Sequence, residues 1–409
     1  MTAAITGRIL LSKRKTLIIT CSSRKPEVSV MYTTKRLNLG TSEQLDFLAR
    51  EAGKTYSQTV IQFWKVVRKK NIWLSENSMK RIIRNRNLSA SSVQGIIEKF
   101  YKNLASWDAV RHDPTKKPPK KQRKYFIVPF KEQNFSVKNG ILRISTGRDN
   151  IPLLIPWSFE KPKFCELSYN GEQYVLNATY KIYADAGATH FDYAGIDLGD
   201  IFLAAAYTGK QTILVNGKEL RSKRRYQNKV KGQLQSKMER CERGSQRWHK
   251  LNNEKSRVSR KLNNQINDIL HKQTTALINA LSDTGIKTVG IGDLRDIRNG
   301  CNDPQRPSNQ QLHQMPSGKV RHMLTYKAKR AGMNVKLINE AYTSQICPQC
   351  LKRNKTKDRN YICGFCGFTG HRDIVGAYNI WSKTKYKRFT KKTSVVGDMA
   401  APVGIRYKK

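Results

Sequence analysis

The sequence predicts a multi-domain protein of mixed α+β and α/β class, and three observations lead there. Apolar residues recur at helical spacing through residues 41 to 110 and at the alternating spacing of strands through 121 to 190. Behind Tyr193, strands and helices alternate. Near the C-terminus, the stretch from Asn339 to Ile380 joins two CxxC pairs to two acids, Glu340 and Asp373. A chain of 409 residues with 38% hydrophobic content has enough apolar material for separate cores.

Lysine and arginine number 77 against 30 aspartate and glutamate, a formal charge of +47 at pH 7. That excess goes far beyond what solubility needs and points to a polyanion partner. The basic residues run along the whole chain and are not confined to one amphipathic helix, which favours nucleic acid over a membrane surface, with steeply salt-dependent binding. No apolar run reaches 18 residues, and the patch Leu17 to Ile19 is too short for a secretory core, so no membrane partner is expected. Cys21, Cys165, Cys241 and Cys301 are scattered outside the paired motifs, a distribution that fits a reducing, intracellular setting.

Taken in order, residues 1 to 30 carry no sustained period and read as a disordered extension. A strand at Tyr32 to Leu39 leads to Thr41 or Ser42, either of which can cap a helix bearing Leu45, Leu48 and Ala52. A second helix follows with Tyr56, Val60, Phe63, Trp64 and Val67, and a third, behind Ser91 and Ser92, with Val93, Ile96, Ile97, Phe100, Tyr101, Leu104 and Trp107. This aromatic stripe is expected in a helical core, with base stacking as the alternative. Residues 111 to 124 are a basic, proline-interrupted linker facing either phosphate or solvent. Beyond it, Phe135 and Val137, Asn139-Gly140, and Ile141 to Ile144 spell a hairpin with type I′ turn chemistry, and Tyr174 to Ile182 alternate as a further strand. With the strand near residue 35, these strands are expected to close a small barrel interrupted by the helical block.

The segment YAGIDLGDIFLAAAYTGKQTILVNG places Asp197 in an apolar strand. Burying a lone carboxylate is costly unless it is paired or bound to a metal, so Asp197 is a candidate ligand, with a solvated turn acid as the alternative. Cys347 and Cys350, then Cys363 and Cys366 after 12 residues, have the spacing of a closed tetrahedral four-thiolate zinc site; two disulfides or a redox pair are the alternative. A closed site holds structure and leaves the chemistry to the acids.

GIDLG at 195 to 199, YTSQIC at 342 to 347, the double CxxC and HRDIVGAYNI at 371 to 380 together resemble the TnpB family. These are transposon-encoded RNA-guided DNA endonucleases, related to type V CRISPR effectors and Fanzor proteins. The resemblance spans roughly residues 31 to 381. It implies a RuvC nuclease domain of RNase H-like fold, interrupted by a zinc ribbon, behind an N-terminal wedge β-barrel with a helical recognition insertion. It also implies two catalytic Mg²⁺ ions and one structural Zn²⁺, a guide RNA from the transposon end, and target double-stranded DNA. The setting it implies is a bacterial cytoplasm or nucleoid, or the nucleus for a eukaryotic relative.

The family's catalytic set is Asp, Glu, Asp. The first and third fall on Asp197 and Asp373, but where the family has Glu before an Asp-Leu pair this chain reads TVGIGDLRDI, with Gly292 in that place. Ile286 to Ile291 reads as a strand, Lys319 to Ala331 as a helix and Asn334 to Asn339 as a strand, a βαβ unit whose strands are parallel and end on one edge. Glu340 then follows the second strand where Gly292 follows the first, and it can supply the missing oxygens; Asp293 is the rival. The expected catalytic and Mg²⁺-binding residues are Asp197, Glu340 and Asp373, because a pair of Mg²⁺ ions about 3.5–4 Å apart needs carboxylate ligands. His371 is expected to pack or to contact phosphate, with proton transfer as the alternative.

Gln246 to Leu281 reads as a long helix, apolar on one side and basic on the other, and Asn299 to Ser317 as a loop near the active edge. The expected layout is a disordered extension at 1–30, a wedge barrel at 31–40 and 111–190, the helical insertion at 41–110, RuvC at 191–345, the zinc ribbon at 346–368, a third RuvC part at 369–381 and a basic mobile tail at 382–409. The expected function is RNA-guided DNA cleavage beside a short flanking motif. The alternatives are a nuclease-inactive RNA-guided repressor and a zinc-ribbon transposase.

Overall fold

The computed structural model describes residues 29–122, 124–148, 150–184, 192–294, 315–356, 358–391 and 402–407. The extension before residue 29, most of the loop Asn299 to Ser317, Cys21 and Cys301 lie outside the described residues. The chain divides into two compact units, Val30–Tyr183 and a second that starts at Ala184. Among the described residues, no helix is long and apolar enough to cross a membrane.

In the first unit, strand β1 (Ser29–Gly40) leads to helix α1 (Glu43–Lys70), whose N-cap Ser42 accepts a hydrogen bond from the Leu45 amide at 3.3 Å. The two helices expected at 43–67 are one. Gly53, which costs a helix interior about 1 kcal/mol, suggests a break. The helix runs straight through it, and glycine fits there because a Cβ would strike the Lys124 carbonyl. Helices α2 (Glu76–Ile82) and α3 (Ala90–Asp108) follow, and the cap of α3 is Ser89, upstream of the serines expected.

Strands β2 (Val128–Lys131), β3 (Phe135–Lys138), β4 (Ile141–Ile144), β5 (Leu153–Pro156), β6 (Phe164–Tyr169) and β7 (Tyr174–Ala184) complete the unit. Asn139 and Gly140 have φ of 49° and 71°, the left-handed pair of a type I′ turn, and they set the β3–β4 register. The strands form two sheets, β1-β7-β6-β2 and β3-β4-β5; among the described residues no ladder joins them into a ring. Tyr56, Phe63 and Phe100 of the helices share one buried cluster with Val128, Leu142 and Leu176 of the strands. The aromatic stripe is therefore core, and the helical block packs as part of the unit that holds the sheets.

The second unit opens with β8 (Tyr193–Leu198), β9 (Phe202–Tyr207) and β10 (Thr212–Asn216). Helix α4 (Lys218–Glu239) packs on α5 (Gln246–Asp283), then come β11 (Thr288–Asp293), α6 (Ser317–Arg330), β12 (Asn334–Asn339), β13 (Asn360–Ile362), β14 (Thr369–His371), α7 (Arg372–Tyr386) and β15 (Val403–Ile405). One six-stranded sheet runs β12-β11-β8-β9-β10-β15. β11 is parallel to both β8 and β12, as a βαβ connection through α6 requires. Alternation divides the sheet's faces: Ala194, Ile196 and Leu198 pack with α5 and α6, while Ala205 and Tyr207 pack with α7. The tail expected from Ser382 is corrected twice. Ser382 to Tyr386 form the last turn of α7, and Val403–Ile405 pair in parallel with β10, where an open strand edge offers unpaired backbone groups.

Candidate active site

Asp197 stands near the C-terminal end of β8, on the face beneath α7. Gly195 on the same face and Gly290, its partner in register on β11, let the helix lie directly on the strands. A Cβ at 195 would fall on the α7 backbone at Ala377 and Trp381, and one at 290 on the Thr384 hydroxyl. Gly376 of α7 faces Asp197, whose Oδ2 lies 2.6 Å from where a Cβ would stand. Asp373, in the first turn of α7, thereby reaches the cleft of about 1040 Å³ that Asp197 and Glu340 also line.

β11 and β12 pair with Gly292 opposite Ile338 and Asp293 opposite Asn339. Glu340 is the next residue, and its side chain turns back over the neighbouring strand. A Cβ at 292 would coincide with Glu340 Oε1 and lie 2.5 Å from Cδ and 2.8 Å from Cγ. The absent side chain and the Glu340 carboxylate thus occupy one volume. Asp293 also lines the cleft, but it is ion-paired with Arg321 of α6.

The acids repel one another. Burial, then the charges of Glu340 and Asp373, push the Asp197 carboxyl well above its usual range. Burial, then Asp293, raise Glu340 to about 7. Glu340 Oε1 is buried and, among the described residues, accepts no hydrogen bond. An orphaned carboxylate oxygen among like charges is unfavourable until a cation meets it, and an all-carboxylate donor set suits a hard divalent cation such as Mg²⁺. The residues present fit such ions.

Two arginines of the cleft were not anticipated. Arg359 donates from Nη1 to Asp373 Oδ2 at 2.6 Å, and Arg372 lies beside Asp373 on the cleft wall. The β13–β14 register, Asn360 opposite His371, sets Arg359 alongside Arg372. Pairing the two halves of the cysteine segment in the sequence would have exposed this proximity. His371 caps α7: its Nδ1 accepts from the Asp373 amide at 3.3 Å, and its ring meets Phe202 edge-on at 5.1 Å. Burial holds its imidazole below the usual range.

The Sγ atoms of Cys347, Cys350, Cys363 and Cys366 lie within 4.8 Å of one another, with Cys347–Cys366 at 3.6 Å and Cys350–Cys363 at 3.7 Å. Zinc–sulfur bonds of about 2.3 Å in a tetrahedron give edges of about 3.8 Å. A disulfide needs about 2.05 Å. The cluster is compatible with a zinc ribbon. Replacing Cys350 by serine is expected to remove bound zinc, measured by elemental analysis, and to lower the melting temperature by about 5 °C or more. Unchanged melting and zinc content would refute a structural metal at these cysteines.

Residues 185–298 match a family model described as a probable transposase (OrfB_IS605), and residues 318–380 match the Cas12f1-like TNB domain. The chain is similar to the TnpB-like protein MJ0751 of Methanocaldococcus jannaschii, with 29% identity over 122 residues, 30% of this chain and 44% of that one. It is also similar to InsQ of Escherichia coli K12, whose name describes an RNA-guided DNA endonuclease, with 28% identity over 196 residues, 46% of this chain and 47% of InsQ. These alignments span about half the length of each relative. A solved complex of Cas12f1 with sgRNA and target DNA superposes with a TM-score of 0.58 at 14% identity, over 83% of this chain and 82% of that one, a likeness of fold.

Proposed function

We propose that this chain, similar in sequence to TnpB-like proteins, is an RNA-guided DNA endonuclease that cuts DNA complementary to a transposon-end guide RNA, beside a short flanking motif. The observation that carries the reading is the Glu340 carboxylate in the volume left open at Gly292, on the cleft shared with Asp197 and Asp373. The strand order β12-β11-β8-β9-β10, with one hairpin run and two parallel additions, supports an RNase H-like, RuvC-type domain.

Asp197, Glu340 and Asp373 would hold two Mg²⁺ ions, which when bound activate water and stabilise the leaving 3′ oxygen of a phosphodiester. Burial, then the charges of Glu340 and Asp373, raise Asp197, and a bound cation would relieve that repulsion. Arg359 and Arg372 put two guanidinium groups on the cleft wall, where they can grip an incoming phosphodiester. Cys347, Cys350, Cys363 and Cys366 would hold one Zn²⁺ and so fix the segment between Glu340 and Asp373. The charge of +47 suits a protein that grips RNA and heteroduplex by their backbones while base pairing reads the sequence. Residues 31 to 190 are assigned to recognition of the flanking motif.

The test is cleavage of a matched duplex by the purified protein–RNA complex with Mg²⁺. Cutting that Asp197→Ala abolishes is expected. Binding without cutting would favour a repressor, and strand-transfer products a transposase.

A further inference from the structure

A ligand on β11 would be fixed by ladder bonds on both sides, but Glu340 lies past the end of an edge strand. Something else must hold it. Helix α7 supplies two side chains one turn apart. Lys383 Nζ donates to the carbonyls that flank Glu340, Asn339 O at 2.9 Å and Ala341 O at 3.1 Å. Asn379, fully buried, donates from Nδ2 to Thr343 O at 2.7 Å and Ile346 O at 2.8 Å. Thr343 in turn bonds the Glu340 carbonyl through its hydroxyl, at 2.9 Å. Between these ties Tyr342 holds φ at +63°, a left-handed conformation that a non-glycine residue keeps only under constraint.

The same helix carries Asp373 in its first turn and rests on β8 beside Asp197. We propose that Asn379 and Lys383 are positioning residues, which reference the turn bearing Glu340 to the helix that carries Asp373 and thereby set the spacing of the three acids. The proposal rests on the nuclease reading above. Positioning partners behind metal ligands are worth about 10- to 100-fold in metal affinity.

The full-length protein offers a direct test. Lys383→Met keeps the apolar stem and removes the donors, while Lys383→Arg keeps a cation that reaches the carbonyls. Amide hydrogen exchange at Ala341 to Ile346 is read without metal, and Mn²⁺ uptake is titrated by the EPR signal of the free ion, with Asp197→Ala as the blank. Lys383→Met is expected to speed exchange across this segment and to weaken the Asp197-dependent uptake about 10-fold, with Lys383→Arg restoring both. Asn379→Ser is expected to speed exchange at Thr343 to Ile346 most. Wild-type exchange and uptake in Lys383→Met would overturn the proposal. Faster exchange with unchanged uptake would also overturn it, since the tie would then hold backbone without placing the acid. If wild type shows no Asp197-dependent uptake, the nuclease reading itself falls, and the positioning role with it.

Discussion

Glu340→Gln is expected to lower RNA-guided cleavage about 10³-fold while leaving DNA binding by the RNA complex intact. The substitution keeps shape and removes the charge, so the loss is that of one carboxylate at a divalent-metal site, several kcal/mol of stabilisation at about 1.4 kcal/mol per factor of ten. Asp293→Asn is the control. Its carboxylate is held by Arg321 and is not the group that fills the volume at Gly292, so its loss should cost less than about 10-fold. Single-turnover cutting of a labelled duplex reads both. A dead Asp293→Asn beside an active Glu340→Gln would transfer the ligand role to Asp293.

A single methyl group should also cut activity sharply from a position that bears no functional side chain. Gly292→Ala is expected to reduce cleavage about 100-fold with little change in melting temperature. The three atoms nearest the added Cβ all belong to the flexible Glu340 side chain, so the fold can yield while the carboxylate is driven out of its place. Gly195→Ala makes the contrast, because its Cβ meets the α7 backbone and should show as lost stability. Gly292→Glu combined with Glu340→Ala should recover part of the cleavage lost in Glu340→Ala, because it returns one carboxylate to the same volume. Full activity in Gly292→Ala would show that Glu340 does not work from where it sits.

What could be read in the sequence follows physical lines. The β3–β4 hairpin was legible because Asn139-Gly140 has few conformational options, and β12 because a short apolar alternation sits between helix and motif. The parallel pairing of β11 and β12 followed from the helix between them, and that pairing led from Gly292 to Glu340. Helix α4 was missed: its buried Leu220, Gln227, Leu234 and Met238 are thinly spaced in a basic segment that reads as polar throughout. The split expected in α1 came from reading Leu45, Leu48 and Ala52 apart from Tyr56 to Val67, although one helix carries both sets. Strand β15 was invisible because it owes its order to the β10 edge and not to its own composition. Arg359 escaped notice because its partner, Asp373, lies across the cysteine hairpin.

The shared volume at Gly292 also bears on how such a site can change hands over evolutionary time. A side chain at 292 competes with the Glu340 carboxylate for one volume, and on the proposed reading acids at neither position leave the site short of a ligand. A lineage that keeps working throughout therefore acquires the glutamate at 340 first, where it waits turned out to solvent while the residue at 292 serves. Mutation of 292 to glycine then admits it. On that path the glycine that resembles a lost catalytic residue marks the completed handover, and chains caught midway would carry both acids with only one engaged.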